Sequence, residues 1–331
     1  MSSLIFNDVT LQTGDYIYSS ARILIVVIAL IGSYTASERM SRMFRILKQL
    51  NEIETNLPCK RKPHSDWAMY FLMFITFLSA VGVPIITFTS FMKTDQSIIY
   101  YEILTQISRA LLYQIMKLTE IQLITFAERV LQTLKIMNKN LELLISVEDS
   151  RTANVANRIR QLAKYNLNIY EIVRTMTKGD GYLIILLLLC LMVLIEMSWH
   201  KAVIWFSSST ELMFLYILPT ILRGGGNSIE LIYCTEVFHQ THSEMERTHE
   251  IVNYLKSRRG DEEDVNNELE LFVRMLMLNK TTYSPLNMCT LSRPLVIQIF
   301  GTLLTYLTII LTYGTETNAP ARAFENKSTL L

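Results

Sequence analysis

The last apolar run of the chain carries hydroxyl groups at helical spacing. It reads GTLLTYLTIILTYGTE over residues 301–316, and Thr305, Ile309, Thr312 and Glu316 recur at intervals of four, three and four. Residues at these intervals share one face of an α-helix. Such a stripe suits the lining of a hydrated cation path, with Ile309 as an apolar constriction and Glu316 at the mouth. The alternative is structural, because threonine hydroxyls readily hydrogen-bond the carbonyl one turn back in membrane helices.

A second polar group interrupts the third apolar run of the sequence. Glu102, Gln106 and Arg109 follow one another at spacings of four and three, and Tyr101 and Thr105 flank them. These positions share one helical face. Polar groups at membrane depth face protein or water rather than lipid. The pattern predicts either one wall of a ligand pocket or an interhelical polar clasp that fixes packing.

Aromatic and charged residues also mark the end of the most apolar run. Glu196, Trp199 and His200 close that run, and Trp205 follows shortly after. Aromatic side chains at this depth commonly anchor a helix at the interface, and a ligand pocket is the second interpretation. His200 lacks a partner at metal-ligand spacing, so metal binding is not expected.

No motif for catalysis is present. The chain contains no HExxH, GxSxG or phosphate-binding loop, so we predict that it is not an enzyme and needs no cofactor. His239 and His242 lie beside Glu244 and Glu246. That pair could form a two-histidine metal site, but the composition favours a solvated helical face. The net charge of +1 gives no sign of nucleic-acid binding.

The composition indicates a helical membrane protein. Half of the 331 residues are hydrophobic, the mean hydropathy is +0.26, and Gly and Pro together number only 18. Each membrane span needs roughly 20 apolar residues. The leading segment has Asp8 and Asp15 and no basic residue before Arg22, so it is predicted to be a retained span rather than a signal peptide. Six spans are expected, at about 18–34, 67–91, 98–126, 182–199, 202–235 and 295–313.

Basic residues predict the orientation. Of the 31 Lys and Arg residues, 23 fall in three long loops, 37–66, 128–180 and 236–293, and four fall in the segments on the other side. The positive-inside rule places the long loops in the cytoplasm and both termini outside. We therefore expect a multi-pass protein of the plasma membrane with an extracellular C-terminus. The sequon at Asn326 is then open to glycosylation, and the one at Asn279 is not.

The long loops themselves have helical periodicity. Apolar residues recur at three and four in 43–57, 130–145, 157–176, 235–257 and 268–278, with no Gly or Pro inside these runs. The fold class is therefore all-α: a polytopic membrane helical bundle that continues into a cytoplasmic helical anchor domain. The expected parts are a transmembrane bundle over 1–235 with cytoplasmic extensions 37–66 and 128–180, anchor helices over 236–290, a last helix over 291–314, and an extracellular tail over 315–331.

Two local features leave choices open. The segment RGGGNSIELIYC, 223–234, is either a locally loosened but continuous helix, which we favour, or a loop. Arg223 and Glu230 share one face if the helix continues. The cysteines, Cys59, Cys190, Cys234 and Cys289, show no metal-binding spacing, so reduced thiols are predicted.

The chain resembles the insect gustatory receptors. The resemblance is carried by the cytoplasmic helix pair that Cys234 opens, the short turn after it, and the final helix with Thr305-Tyr306. The family signature there is Thr-Tyr, five hydrophobic residues and Gln-Phe. Here the five are LTIIL, and Thr312-Tyr313 replaces Gln-Phe. Counted back from the end, the six spans match the last six of the family's seven, so the first family span is expected to be missing.

The resemblance implies a function as well as a fold. It implies a ligand-gated, non-selective cation channel that detects a chemical stimulus, built as a homo- or hetero-tetramer in membrane lipid around one pore lined by the last helix. It places Thr312 where the family has its pore-facing Gln, and a small-molecule tastant in the outer half of the bundle. Two alternatives stay open: a non-conducting partner or regulator of full-length receptors, and a metabotropic membrane receptor, which the charge asymmetry disfavours.

Overall fold

The computed structural model describes residues 19–58, 74, 96–146, 152–207, 213–259, 261–279 and 291–316. Within these ranges all regular structure is α-helical, which confirms the expected all-α fold class. The predicted span 67–91 lies outside the described residues, apart from Phe74. The eight helices of the described ranges are α1 (Ser19–Tyr34), α2 (Ala36–Asn56), α3 (Gln96–Ser146), α4 (Thr152–Gly179), α5 (Gly181–Ser207), α6 (Met213–Arg259), α7 (Glu263–Leu278) and α8 (Arg293–Glu316).

Two helices are far longer than a membrane span. Helix α3 has 51 residues, and it contains neither Gly nor Pro, so nothing in its sequence interrupts the hydrogen-bond ladder. Helix α6 has 47 residues and runs without a break through the three glycines at 224–226. The interpretation of 223–234 as continuous helix is therefore confirmed. In each of these helices the N-terminal half falls in a predicted span and is called the upper half. The C-terminal half falls in a predicted cytoplasmic helical run and is called the lower half.

The end of α5 differs from the sequence prediction. We expected a turn at 200–201 and a new span from about 202, but α5 continues to Ser207 and α6 begins only at Met213. The polar pair His200-Lys201 suggested the turn. Polar residues alone do not end a helix, and no Gly or Pro lies near them to do so.

Helices α3 and α6 pack side by side and run in the same direction. Their hydrogen-bonded pairs advance together along both chains, from Tyr113 with Asn227 to Asn138 with Glu244. Helix α5 runs opposite to α6, since its Ser198 lies against Gly224 and its lower end lies beside Cys234. A Cβ at position 224 would come within 3.0 Å of the Ser198 Cβ atom, so this glycine permits the close approach of the two helices.

The lower halves of the long helices join α4 and α7 in a second packed layer. Helix α7 buries one apolar face, and Phe272 at its centre is 1% exposed. Phe272 packs with Tyr170 and Ala163 of α4. Loss of a buried Phe side chain of this kind costs about 3–5 kcal/mol, so this contact is a main source of stability in the layer.

At least one helix of the described ranges is long and apolar enough to cross a membrane. Residues Gly181–Val203 of α5 are long and apolar enough, with a mean hydropathy of 2.5. Helices α1 and α2 pass when taken together, but they are bent by 62° at their junction. Residues Arg293–Ile309 of α8, the part of this helix whose side chains are described, are apolar as well.

Candidate functional site

The last helix has one packed face and one open face. Ile299 and Leu303 of α8 are buried against the rest of the chain, whereas Thr305 and Ile309 are exposed, Ile309 by 50%. Thr305 and Ile309, the two residues of the predicted stripe whose side chains are described, thus lie on the surface of the subunit. The helix continues through Thr312 to Glu316, but the side chains of these two residues lie outside the described part.

The hydroxyls of this helix bond to its own backbone. Thr302, Thr305 and Thr308 donate to the carbonyl oxygens four residues earlier, at 2.9, 2.9 and 2.8 Å. This is the structural interpretation raised above. It uses the hydroxyl proton and leaves lone pairs on each oxygen, so an exposed threonine can still accept from water or face a cation. Among the leucines of this helix, Leu307 contacts the core, Leu304 is exposed, and the side chain of Leu311 lies outside the described part.

The foot of the last helix is tied to α6 by an ion pair. Arg293 donates from Nε and Nη2 to the two carboxylate oxygens of Glu236, at 3.0 and 2.8 Å. Gln240 donates to the same carboxylate at 3.0 Å and accepts from Lys135 of α3 at 3.0 Å. The hydrogen bonds from Arg293 hold the pKa of Glu236 down, at about 2. The foot of α8 is therefore linked through α6 to α3.

A buried charge cluster lies between α3 and α6. Lys117 is 1% exposed, and it donates to Glu120 at 3.0 Å and to Glu230. Both carboxylates are 3% exposed. One cation thus contacts two carboxyl groups in a region of low dielectric constant, where an unpaired charge is very costly. The cluster fixes the relative position of α3 and α6 in the last third of the predicted spans 98–126 and 202–235.

Tyr113 extends this cluster toward the predicted outer end. Its ring lies between two cations, with Lys117 Nζ 5.6 Å and the Arg223 guanidinium 5.2 Å from the ring centre. Its hydroxyl donates to Asn227 at 3.3 Å. Arg223 and Glu230 do share one face of α6, as a continuous helix requires, but each has its own partner on α3.

A comparison of the sequence with known protein families agrees with this all-helical architecture. Residues 5–316 match the family model of the 7tm chemosensory receptors. The chain belongs to this family. A search of curated proteins gave no match. Membership makes the receptor a membrane protein with a chemosensory role and favours a small-molecule ligand. It also confirms the resemblance to the insect gustatory receptors that the final helix carries.

The predicted ligand residues of the receptor fall into two groups. On α3, Thr105 is half-buried and Arg109 is exposed. The side chains of three further predicted ligand residues on α3, and of one on α5, lie outside the described part: Tyr101, Glu102, Gln106 and Trp205.

The second group, on α5, approaches the helices that would have to respond to a ligand. Trp199 is half-buried, and its indole nitrogen lies 3.7 Å from the place that a Cβ at Gly224 of α6 would occupy. Glu196 is half-buried and lies within electrostatic range of Tyr306 on α8. The structure therefore places Trp199 next to α6 and Glu196 near α8.

Sequence reasoning missed Lys117 and Glu120. Both stand inside the predicted span 98–126, three residues apart, and charged residues at such depth are rare and usually paired. That rule alone could have singled them out. Their partner could not have been found, because Glu230 is 113 positions from Lys117 in the sequence.

Among the remaining predicted groups, His242 and Cys190 have structural partners. His242 contacts Glu246 at 3.5 Å on the same helix. The part of the chain that the structure describes holds no group of three or more His, Cys, Asp or Glu side chains that could bind a metal. Cys190 and Cys234 are free and buried, and Cys190 contacts the Met116 sulfur at 3.4 Å. Cys59 and Cys289 lie outside the described residues.

Proposed function

We propose that the receptor is a subunit of a ligand-gated, non-selective cation channel of the gustatory type, with four copies around one pore. The observation that carries the proposal is the placement of α8. One face of this helix packs on α5 and α6, and the face with Thr305 and Ile309 stays open in the isolated subunit. A pore helix needs this division, because its lining face meets water and its other face must be held by the subunit.

Fourfold symmetry turns each residue of the open face into a ring. A ring of Ile309 forms an apolar constriction that closes by dewetting. A ring of Thr312 offers hydroxyl oxygens to a hydrated cation, and a ring of Glu316 makes the outer mouth negative, which favours cations. The lone pairs left on Thr305 after its bond to the Gly301 carbonyl serve the same purpose two turns below Thr312.

The relative directions of the helices support the proposed orientation. Helices α1, α3 and α6 run together, and α5 and α8 run against them, as the alternation of spans requires. With the basic loops in the cytoplasm, α8 then rises from the Arg293–Glu236 pair to an extracellular end. We place the receptor in the plasma membrane with its C-terminus outside.

The ligand is proposed to bind in the outer half of the bundle, on the α3 and α5 residues named above. A ligand there reaches Trp199, which lies against α6, and Glu196, which lies near Tyr306 of α8. Movement of α5 can therefore act on the pore helix without an intermediate element.

The test is electrical and uses cells that lack related receptors. Ile309→Ala removes the proposed constriction, so we expect a current without ligand. Leu304→Ala is the matched control, since Leu304 is also exposed on α8 but lies off the stripe. Thr312→Gln should change ion selectivity, and Glu316→Lys should lower cation conductance. Currents like those of the wild type in all three stripe variants, at equal surface expression, would place the pore elsewhere.

A further inference from the structure

A groove lies where α1, α2 and α3 meet. Its volume is about 380 Å³, within the range of small-molecule and lipid sites. Met40 and Leu118, 42% and 58% exposed, line its side, so it opens laterally rather than into the bundle. Polar residues line the part near the bend between α1 and α2, namely Ser33, Ser37, Arg39, Thr119 and Gln122.

Arg39 is a buried cation in the wall of this groove. The residue is only 3% exposed, and among the described residues its Nη1 atom has no hydrogen-bond partner. Its Nη2 donates to Gln122 at a long 3.4 Å. Asp180, a carboxylate within electrostatic range of Arg39, is bound to Arg42 at 2.9 Å. Burial lowers the pKa of Arg39 and Asp180 opposes that effect, but an arginine remains charged at neutral pH.

The buried guanidinium of Arg39, with its Nη1 donor unpaired, is suited to bind an anion. A guanidinium binds phosphate oxygens in a planar, two-bonded geometry, and the loss of a buried hydrogen-bond partner is costly. Ser33 and Ser37, both exposed on the groove, add hydroxyl donors close by. Thr119 contributes an acceptor only, because its hydroxyl proton goes to the Ile115 carbonyl at 2.9 Å.

The surroundings of the groove are those of a bilayer surface. Helix α2 turns away from α1 by 62° and carries exposed Phe44, 65% accessible, among exposed basic residues such as Arg45 and Lys48. The apolar face of α2 packs on the protein, and the exposed basic side chains just beyond the end of a predicted span are placed to meet anionic lipid. Under the proposed orientation this bend lies at the cytoplasmic leaflet.

We propose that the groove binds an anionic phospholipid of the cytoplasmic leaflet. The phosphate pairs with Arg39 beside the serine hydroxyls, and an acyl chain lies along Ile115, Leu118 and Met40. The lipid fixes the angle between α1 and α2 against α3. This site rests on the proposed orientation but not on conduction.

Binding is measured on the purified full-length receptor in neutral detergent. Its unfolding temperature is followed against increasing phosphatidic acid, phosphatidylcholine or inorganic phosphate, because a ligand that binds the folded state raises this temperature with concentration. We expect phosphatidic acid to stabilise the receptor at lower concentration than phosphatidylcholine. Inorganic phosphate should give no comparable effect. Equal responses to both lipids, or an equal response to inorganic phosphate, would overturn the proposal.

Two variants test the position of the site. Arg39→Gln should weaken phosphatidic acid binding about tenfold, the loss expected for one charged hydrogen-bonded contact. Arg45→Gln removes the same charge from an exposed position on the same helix and should leave binding unchanged. Ala36→Trp fills the groove while Arg39 remains, so it should also weaken binding even if Arg39→Gln does not fold. Wild-type binding by Ala36→Trp, or equal weakening by Arg45→Gln, would overturn the proposal.

The readout separates this proposal from the channel proposal. Lipid binding is measured without current, so a receptor that conducts but shows no lipid preference would refute only the lipid site. A receptor that binds phosphatidic acid through Arg39 but shows no change in current in the α8 variants would refute only the pore.

Discussion

Arg293, the first residue of the last helix, holds both carboxylate oxygens of Glu236 through parallel hydrogen bonds of 3.0 and 2.8 Å. Two parallel bonds fix the angle as well as the distance between the groups. Glu236 stands on α6 at the point where the predicted span ends and the cytoplasmic layer begins. The foot of the proposed pore helix therefore cannot turn without moving α6 or breaking this pair.

The first prediction is a charge exchange at this pair. Glu236→Arg or Arg293→Glu alone should shift the ligand concentration for half-maximal current roughly two- to fivefold, the range of a partly exposed ion pair. The double variant, Glu236→Arg with Arg293→Glu, should return toward the wild-type value. Exchange of the exposed pair Arg274 and Glu270 on α7 serves as the control. Additive effects of the two single changes would show that the pair does not couple the helices.

The second prediction concerns acid stability. Because the folded state holds the pKa of Glu236 at about 2, against an ordinary value of 4.5, the pair stabilises the receptor above about pH 5. This contribution is lost as the pH falls from 5 toward 2. The difference in unfolding temperature between wild type and Glu236→Gln should therefore be largest near pH 7 and shrink below pH 5. A difference that grows in acid would contradict the assigned direction.

Helical periodicity explains what the sequence could predict and what it could not. The long apolar and amphipathic runs of α3 and α6 predict helices, because few Gly or Pro residues oppose them. The partners of Lys117 and Arg39 depend on how far one helix slides along another, and that register is a tertiary property. The open face of α8 was predictable from its spacing. Its packed face, centred on Ile299 and Leu303, was not.

The third prediction concerns the buried charge cluster. Lys117→Met leaves Glu120 and Glu230 buried without a cation, and breaking a buried pair in this way typically costs about 3–5 kcal/mol. We expect little monodisperse protein in size-exclusion chromatography of the detergent extract. The triple variant Lys117→Met, Glu120→Gln and Glu230→Gln removes every charge and should recover much of the folded protein. If Lys117→Met folds normally and the triple variant does not fold, the charge cluster is not what aligns the two helices.

The fourth prediction distinguishes assembly from folding in the cytoplasmic layer. Leu271 is 52% exposed and Phe272 beside it is 1% exposed. Leu271 and Leu278 are seven residues apart on one open face of α7, and a face of this kind suits contact with a neighbouring subunit. Leu271→Asp should yield a folded but smaller particle, whereas Phe272→Asp should prevent folding. Tetramers of normal mass in Leu271→Asp would move the subunit interface elsewhere.

The fifth prediction concerns orientation. Glycosylation mapping in intact membranes should find Asn326 modified and Asn279 bare, because the basic loops mark the cytoplasmic side. Asn326→Gln provides the control for the shift in mass. An N-terminal tag should be accessible from outside the cell. Modification at Asn279 would reverse the proposed topology.

The unbroken length of α3 has a mechanical consequence. A 51-residue helix is about 77 Å long, and this one has no glycine or proline at which to flex. A tilt of about 5° about Lys117, which lies about 44 Å from the lower end of the helix, displaces that end by about 4 Å. Helix α6 beside it contains Pro219 and the glycines at 224–226, so it can bend where α3 cannot. We therefore expect a ligand-driven tilt of α3 about the Lys117 cluster to move the lower end of α3 as part of one rigid rod, while α6 bends to follow it.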